Sequence, residues 1–330
     1  MRHILHILAA SALLAACTGA APAPAPVKGP KGDLAYFELR GNVKTMESHG
    51  ATYNFDEDGR LVIDPEDGKV EIATDPDNGL TYYTYTPEGD DPFMYWSEFR
   101  PFRRGYDSNG RLSEIAFHYE MCIGIYYNDD GTVSREDWVE ESWGGCSFYN
   151  YVDGVRTTAI NQSGDIASLS GIFEEDIIWD TFICYTYDQC GNWTSRFGVS
   201  HYNGGVVGNV TRRTIEYHSV DKPSDFEPIM EGIILSGILG ADDVALCFTD
   251  IDNEYYGPSG LCQISDGKGL RVMSVDNYDR SSGHLVMNLR DSKDQDAGSF
   301  SGTLTPTSYS GTYTPAHGKS VEFNFTNEQP

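Results

Sequence analysis

Acidic side chains cluster at several points of this sequence, and grouped carboxylates can hold a calcium ion. Three loops offer such groups: DEDG at Asp56–Gly59, DPDNG at Asp75–Gly79 and TDIDNE at Thr249–Glu254. None of them has the full set of spaced carboxylates and the final glutamate of an EF-hand loop. The sequence therefore predicts no metal site and no cofactor, and calcium binding is kept as an alternative.

Paired carboxylates also catalyse glycoside hydrolysis when they face each other across a cleft, about 5–10 Å apart. Glu140–Glu141 are close to Trp143 in the sequence, and Glu174–Asp176 are close to Trp179, but no such geometry follows from these positions. The chain also has no GxSxG elbow, no HExxH motif and no glycine-rich phosphate loop. We therefore expect no catalytic residues and keep a glycoside hydrolase or other enzyme as an alternative.

Aromatic side chains are the third group, because exposed tyrosine and tryptophan rings can form a flat face that binds sugars or peptides. Alternation along a strand buries about half of any such set, so a role in the core competes with binding. The candidates are Tyr82, Tyr83, Tyr85, Tyr95, Trp96, Trp138, Trp143 and Trp179.

The charge balance excludes one class of partner. The 330 residues include 23 Lys and Arg against 50 Asp and Glu, which gives a formal net charge of -27. Such a surface repels phosphate backbones, so we expect no nucleic-acid partner. Glycine (35 residues) and tyrosine (21 residues) are abundant, which favours strands and turns over helices.

The N-terminus predicts export. The stretch MRHILHILAASALLAAC has a short basic start and an apolar run from Ile4 to Ala16, which is too short to span a membrane. The run ends in LAAC, Leu14–Cys17, which resembles the lipobox of bacterial lipoproteins. The resemblance implies cleavage before Cys17 and acylation of that cysteine, so that the membrane is a partner through the N-terminal lipid. The Ala-Pro repeat that follows predicts an extended tether, because proline lacks an amide hydrogen and fixes φ.

Six cysteines follow Cys17, and an even number permits disulfides in an exported chain. Cys247 and Cys262 are close in the sequence, and we expect them to be the first pair. Cys184 and Cys190 are a poor pair, since Cys184 lies about 13 Å from a predicted hairpin tip and a disulfide needs Cα atoms within about 7 Å. No CxxC occurs, so neither a zinc ribbon nor a redox dithiol is supported.

A short pattern recurs along the first two thirds of the chain: an aromatic residue, Asp or Asn, two residues, Gly, one residue and an apolar residue. The Asp or Asn side chain can accept hydrogen bonds from backbone N–H groups, and the Gly supplies the positive φ that closes a hairpin. A weaker fifth copy starts at Ile160. The four clear copies have as turn residues Phe55, Asp56 and Gly59; Tyr106, Asp107 and Gly110; Tyr127, Asn128 and Gly131; and Tyr187, Asp188, Gly191 and Trp193.

These copies resemble the YD repeats (Rhs-type repeats) of bacterial cell-surface proteins, in which YDxxGNL/W marks the tip of each hairpin. YTYDQCGNW, Tyr185–Trp193, is the closest match, while LRGNVKTM (Leu39–Met46) and RRTIEYH (Arg212–His218) are similar to the edges of YD-repeat lipoproteins of Bacteroidetes. The resemblance covers residues 36–218 and implies an antiparallel sheet of hairpins. The copies are few and unevenly spaced, so we expect an open, twisted sheet and not a closed cage.

Seven short alternating runs between Asp243 and Phe325 predict a second β-rich region, a small β-sandwich or barrel. Its ending, GxFxGxL…SGTYT…GKxxxFxF, is similar to small calycin-like β domains at the ends of some Bacteroidetes lipoproteins, which implies a calycin-like barrel. Within the preceding segment, the periodicity of FEPIMEGIILSGIL fits a helix or a buried strand equally well. We therefore expect an all-β chain with five parts: a signal peptide (1–16), an Ala/Pro-rich tether (17–35), a hairpin-repeat domain (36–220), a linker (221–240) and a small antiparallel β domain (241–330).

These features together predict a lipid-anchored protein of the bacterial cell envelope, at the outer membrane. Because export and repeat signals occur without any catalytic motif, we expect a non-catalytic binding or structural module with an unknown glycan or protein ligand. The alternative to this general module is a carbohydrate-binding lipoprotein that uses exposed aromatic residues.

Overall fold

A computed structural model of the chain confirms the all-β fold class. It describes residues 32–62, 68–87, 103–118, 121–140, 143–165, 177–202, 205–220, 226–249 and 257–327, and within these ranges strands are joined by turns and loops. The predicted lipidation site Cys17 lies outside the described residues. No helix in the described ranges is long and apolar enough to cross a membrane.

The larger unit is a 13-stranded antiparallel sheet with the order β2-β1-β13-β12-β11-β10-β9-β8-β7-β6-β5-β4-β3. From β3 to β13 each strand pairs with the next one along the chain, and the β1–β2 hairpin is added at the far edge of β13. The strands are β1 (Val43–Ser48), β2 (Ala51–Asn54), β3 (Gly68–Thr74), β4 (Thr81–Pro87), β5 (Arg103–Tyr106), β6 (Leu112–His118), β7 (Met121–Tyr127), β8 (Val133–Glu140), β9 (Trp143–Val152), β10 (Val155–Asp165), β11 (Ile177–Tyr187), β12 (Trp193–Tyr202) and β13 (Gly205–Tyr217).

The four clear copies of the recurring pattern lie at tight turns. In the fourth copy, Asp188 Oδ1 accepts hydrogen bonds from the N–H groups of Cys190 (2.8 Å) and Asn192 (3.0 Å), and Gly191 has a φ of 79°. The carboxylates of Asp56 and Asp107 accept the equivalent pairs of bonds in their own turns. The weaker fifth copy is not a turn, because its Asn161 and Gly164 lie inside β10. Asn161 pairs with both β9 and β11, and Gly164 pairs with β9.

Residues 32–42 lie against one face of the sheet and connect its two ends. The carboxylate of Asp33 binds Arg104 Nη1 of β5 at 2.6 Å, while the Asp33 N–H donates to the carbonyl of Gly59, just beyond β2. The guanidinium of Arg60 stands over the ring of Tyr83 in β4, 5.4 Å from its centre. Because β2 and β4 are near opposite ends of the strand order, these contacts mean that the sheet rolls around residues 32–42. The buried Asp33, Leu34 and Ala35 therefore belong to the fold and not to the predicted tether.

The smaller unit is a closed eight-stranded barrel, so the barrel alternative is correct and the sandwich is not. Its strands alternate between buried and exposed residues, and the inward side chains, among them Phe300, Tyr309 and Phe325, form one hydrophobic core. The strands are β14 (Ile233–Leu239), β15 (Asp242–Thr249), β16 (Ser259–Ile264), β17 (Leu270–Asp279), β18 (His284–Arg290), β19 (Asp296–Leu304), β20 (Ser308–Thr314) and β21 (Val321–Thr326).

The barrel begins inside the predicted linker. β14 pairs with β15 along its whole length and with β21 at Ser236, so it is the strand that closes the barrel. The sequence alone left a helix and a strand open for this segment; pairing with strands on both sides is what makes it a strand.

The predicted disulfide between Cys247 and Cys262 is wrong. None of the six cysteines in the described ranges is bonded to another in this structure. Cys247 pairs with Leu261, and Cys262 pairs with Leu246, so the two cysteines are one position out of register on neighbouring strands. Side chains offset by one position point to opposite faces of a sheet. Cys262 accordingly lies in the barrel core, whereas Cys247 lies between the barrel and the sheet.

Candidate functional site

An open cavity of about 290 Å³ lies beside residues 36–38 on the rolled sheet, and we call it the arginine cavity. Its wall is made by residues 36–38, by the hairpin of β1 and β2, and by strands β8, β9, β10, β12 and β13. The lining residues are Tyr36, Phe37, Glu38, Met46, Ser48, His49, Tyr53, Glu136, Tyr149, Arg156, Trp193, Arg196, Thr211 and Arg213.

Glu38 enters the cavity from a left-handed backbone position, with a φ of 53°. The turn that imposes this conformation is closed by hydrogen bonds from the Glu38 N–H to the Ala35 carbonyl and from the Leu39 N–H to the Leu34 carbonyl. A non-glycine residue in this region costs on the order of 1–3 kcal/mol, and such residues cluster at functional sites. This strained backbone conformation places the Glu38 side chain among arginines.

Two guanidinium groups hold the Glu38 carboxylate. Oε1 lies 3.2 Å from Nε of Arg156, and Oε2 lies 2.9 Å from Nη1 of Arg196. Burial on its own would raise the pKa of Glu38, but Arg156, Arg196 and Arg213 outweigh it and leave that pKa below its ordinary value. Glu38 is therefore a buried anion at neutral pH.

Arg213 is held by carbonyl groups and by an aromatic ring. Its Nε donates to the Trp193 carbonyl at 2.6 Å, and its two Nη atoms donate to the carbonyls of Phe37 (2.6 Å) and Glu38 (2.9 Å). The guanidinium carbon lies 3.6 Å from the centre of the Trp193 ring. Burial lowers the pKa of Arg213 to about 9, so the group is still a cation at pH 7.

A second carboxylate, Glu136, faces the same cavity from β8. Burial raises its pKa, Arg156 and a hydrogen bond from Tyr149 partly offset the rise, and the charge of Glu38 adds to it. Arg156 also stands 3.8 Å above the Tyr149 ring and donates to the hydroxyl of Tyr151 at 3.2 Å. Arg156 therefore acts on both carboxylates, whose pKa values shift in opposite directions.

Two hydrogen-bond donors of the cavity wall have no acceptor among the described residues. They are the indole Nε1 of Trp193 and the Nε of Arg196, and both atoms are buried. An unpartnered buried donor costs on the order of 1–3 kcal/mol, so each such atom needs an explanation. A ligand oxygen that displaces the side chains covering these atoms would supply the missing acceptor.

The cavity combines these donors with positive charge and aromatic surface. Three guanidinium groups face two carboxylates, so the wall is locally cationic although the chain carries a net charge of -27. Tyr36, Tyr53, Tyr149 and Trp193 provide ring surfaces. Binding sites for small molecules combine apolar and aromatic walls with a few converging polar groups in about 300–1,000 Å³. This cavity, at about 290 Å³, is just below that range.

The turn residues of the recurring pattern have mainly structural partners. Tyr106 donates its hydroxyl to Asp33 at 2.9 Å, and Tyr187 donates its hydroxyl to the Ile229 carbonyl at 2.8 Å. Phe55 is part of the core, and Tyr217 donates a hydrogen bond to Asp188. Trp193, at the end of the fourth copy, is the one turn residue of the predicted set that lines the arginine cavity.

The aromatic set predicted from the sequence does not form one exposed face. Tyr85 is buried, and Tyr82 is engaged by Glu114 and by the guanidinium of Arg103. Trp143 and Trp179 are 52% and 51% exposed, but they flank β10 opposite Asp165 and Ile160. These two β10 residues are an odd number of positions apart, so the tryptophans point to opposite faces. Tyr95 and Trp96 lie outside the described residues.

The carboxylates of the acidic clusters either accept hydrogen bonds within their own turns or lie outside the described ranges. Asp56 and Asp75 use their carboxylates to accept backbone N–H groups within their own turns. Within the described ranges no group of three His, Cys, Asp or Glu residues is arranged to hold a metal ion. Glu141, Glu174–Asp176 and most of the TDIDNE loop lie outside the described residues.

The sequence interpretation missed five charged residues of the cavity: Glu38, Glu136, Arg156, Arg196 and Arg213. The one signal in the sequence was that Arg213 lies in RRTIEYH, a segment already noted for its resemblance to the edges of YD-repeat lipoproteins. The convergence of the five residues depends on contacts between distant segments, such as Arg213 with Phe37, and such contacts have no local sequence signal.

Comparison with known proteins adds no relative to this description. No protein-family model matches the chain, and no curated protein matches it in sequence.

Proposed function

We propose that this protein is a membrane-tethered envelope lipoprotein that acts as a non-catalytic binding module, with the arginine cavity as its binding site. The observation that carries the proposal is the pair of buried, acceptor-free donors, Trp193 Nε1 and Arg196 Nε, in the cavity wall. The lipobox-like LAAC sequence supports the tether.

The ligand class follows from the chemistry of the wall. Guanidinium groups select oxygen anions, and the two free N–H donors need oxygen acceptors. Aromatic rings beside them suit the apolar face of a sugar ring. A cavity of about 290 Å³ is too small for a folded domain or a long polymer segment. We therefore assign a small carboxylated sugar, such as one uronic acid unit, as the ligand.

Calorimetric titration of the mature chain tests this assignment. D-glucuronate should bind saturably and more tightly than D-glucose, and added salt should weaken the glucuronate binding because part of it is electrostatic. A panel of uronic acids that gives no saturable binding above that of glucose would overturn the assignment.

A hydrolase is the second candidate, because Glu136 has a raised pKa in a cavity that it shares with the ionised Glu38. Acid and base pairs in glycosidases show this separation of pKa values. Both oxygens of Glu38 are already engaged by arginines, which favours binding over catalysis. Release of reducing sugar from uronic-acid glycosides by the wild-type chain, abolished in Glu136→Gln, would replace the binding proposal with the hydrolase.

A further inference from the structure

The rolled sheet and the barrel meet at a buried contact that contains two cysteines. Cys184 of β11 and Cys247 of β15 are both fully buried there, and Phe197, Val199 and Ile234 surround them. Both side chains belong to the same buried cluster, and β11 contacts β15 directly. They are therefore neighbours in space although one belongs to the sheet and the other to the barrel.

The main chain around this pair is fixed on both sides. The Tyr185 N–H donates to the Met230 carbonyl at 2.8 Å, and the Gly232 N–H donates to the Tyr185 carbonyl at 3.0 Å. A methyl group at Gly232 would lie 2.9 Å from the sulfur of Cys184, so the incoming chain passes directly over this thiol. Cys247 is held by pairing with Ile234 on one side and Leu261 on the other.

Three of the other four cysteines in the described ranges, Cys122, Cys146 and Cys262, do not share this arrangement. Cys262 points into the barrel core, one register position away from Cys247 and on the opposite face. Cys122 and Cys146 are half-buried on the sheet, on the two strands that flank β8. Cys122 pairs with Val139 and Cys146 with Asp137, so a whole strand separates them.

We propose that Cys184 and Cys247 form a disulfide that joins the sheet to the barrel when the chain folds after export. Each thiol loses one proton, and the two sulfurs become bonded to each other. The two electrons pass to the disulfide of an exported thiol oxidase, which is reduced to two thiols by thiol–disulfide exchange. The proposal shares with the proposed function the premise of export but is independent of the ligand.

Burial sets the order of events. The interaction with Cys247 and the burial of the contact both raise the pKa of Cys184 far above the ordinary value for a thiol. The attacking species in exchange is the thiolate, so the closed contact reacts slowly. Oxidation therefore takes place while the barrel docks on the sheet, and the finished disulfide is protected from reductants by the same burial.

Peptide mapping of the full-length chain, exported to a bacterial periplasm and alkylated before lysis, tests the proposal. The expected result is a Cys184 peptide linked to the Cys247 peptide, lower in mass than the sum of the two by two hydrogen atoms. The linked species should persist in Cys262→Ser, the matched control, and disappear in Cys184→Ser. Complete alkylation of both cysteines without prior reduction would overturn the proposal.

Refolding of the same purified chain with oxidised glutathione tests the geometry of the cysteine pair separately from its oxidation after export. No Cys184–Cys247 linkage in either sample overturns the assigned geometry. If the Cys184–Cys247 disulfide forms during refolding with glutathione but is absent from the periplasmic sample, the proposed oxidation in the cell is overturned. That result also weakens the export premise of the proposed function. The titration with glucuronate tests ligand binding separately. A reduced sample should also unfold in two urea transitions where the linked one shows a single, later transition.

Discussion

The Glu38 carboxylate lies between two guanidinium groups, with Oε1 3.2 Å from Arg156 Nε and Oε2 2.9 Å from Arg196 Nη1. Glu38 comes from the segment that the sheet rolls around, whereas the arginines belong to β10 and β12. The pair of contacts therefore links residues 32–42 to strands more than a hundred residues further along the chain, and it holds the wall of the arginine cavity together.

Glu38→Gln should destabilise the sheet by about 3–5 kcal/mol, because it leaves buried guanidinium groups without their anion. Urea unfolding followed by tyrosine and tryptophan fluorescence measures the change. Glu71→Gln is the matched control, since Glu71 pairs with Lys69 at the exposed surface. Exposed pairs contribute about 0–1 kcal/mol. Equal losses in the two variants would contradict the role given to Glu38.

Glu136 should make the pH dependence of stability differ from that of its Gln variant. Burial raises its pKa in the folded protein, so its favourable contribution is complete below the unfolded value of about 4.3 and is lost as the pH rises through the folded value. Glu136→Gln carries no such loss. The variant should therefore gain stability relative to wild type between pH 4 and pH 7, as measured by urea midpoints at both pH values. A stability difference that is constant with pH would contradict this assignment.

Gly191 and Gly110 allow a comparison of two copies of the same turn. Both have a positive φ, 79° and 76°, so alanine is strained at either position. A Cβ at Gly191 would also lie 2.5 Å from the Phe226 ring, whereas a Cβ at Gly110 has nothing within 4 Å. Gly110→Ala should cost about 1 kcal/mol, and Gly191→Ala should cost about 1–3 kcal/mol more because of the overpacking. Urea midpoints of the two variants measure this difference, and equal losses would contradict the packing described for the fourth turn.

Lipidation predicts the location of the protein. Cys17→Ala removes the thiol that acylation requires, so the variant should appear in the soluble fraction after cell lysis, while wild type should sediment with membranes. Mass spectrometry of the N-terminal peptide provides the second readout. A variant that still sediments with membranes, at an unchanged N-terminal mass, would contradict the lipobox assignment.

The parts of the fold that could be predicted are those that depend on residues close together in the sequence. Asp188 and Gly191 act within a few residues of each other, so their spacing alone predicts the turn. The identity of β14 and the orientation of Cys247 depend on pairing with other strands, and here the sequence was undecided or misleading. The cavity is still further from local patterns, because residues 36–38 meet Arg213 only when β1 pairs with β13, the last strand of the sheet in the chain.

The aromatic residues also show that local patterns do not predict contacts between strands. Period-two alternation indicates which residues share a face along one strand but not how faces on separate strands align. Trp143 and Trp179 are both exposed, yet their register across β10 places them on opposite faces. Trp193, which the sequence offered only as a turn residue, lies in the cavity because Arg213 of the neighbouring strand stacks on its ring.

The binding assignment is tested most directly by one pair of matched substitutions. Trp193→Phe keeps an aromatic ring in the cavity but removes the acceptor-free Nε1–H, and Trp179→Phe makes the same change at an exposed position. Loss of one hydrogen bond to a charged ligand corresponds to about a tenfold weaker Kd. We expect calorimetric titration with D-glucuronate to show this loss in Trp193→Phe and wild-type affinity in Trp179→Phe. Unchanged affinity in a folded Trp193→Phe variant would contradict the assignment of the arginine cavity as the binding site.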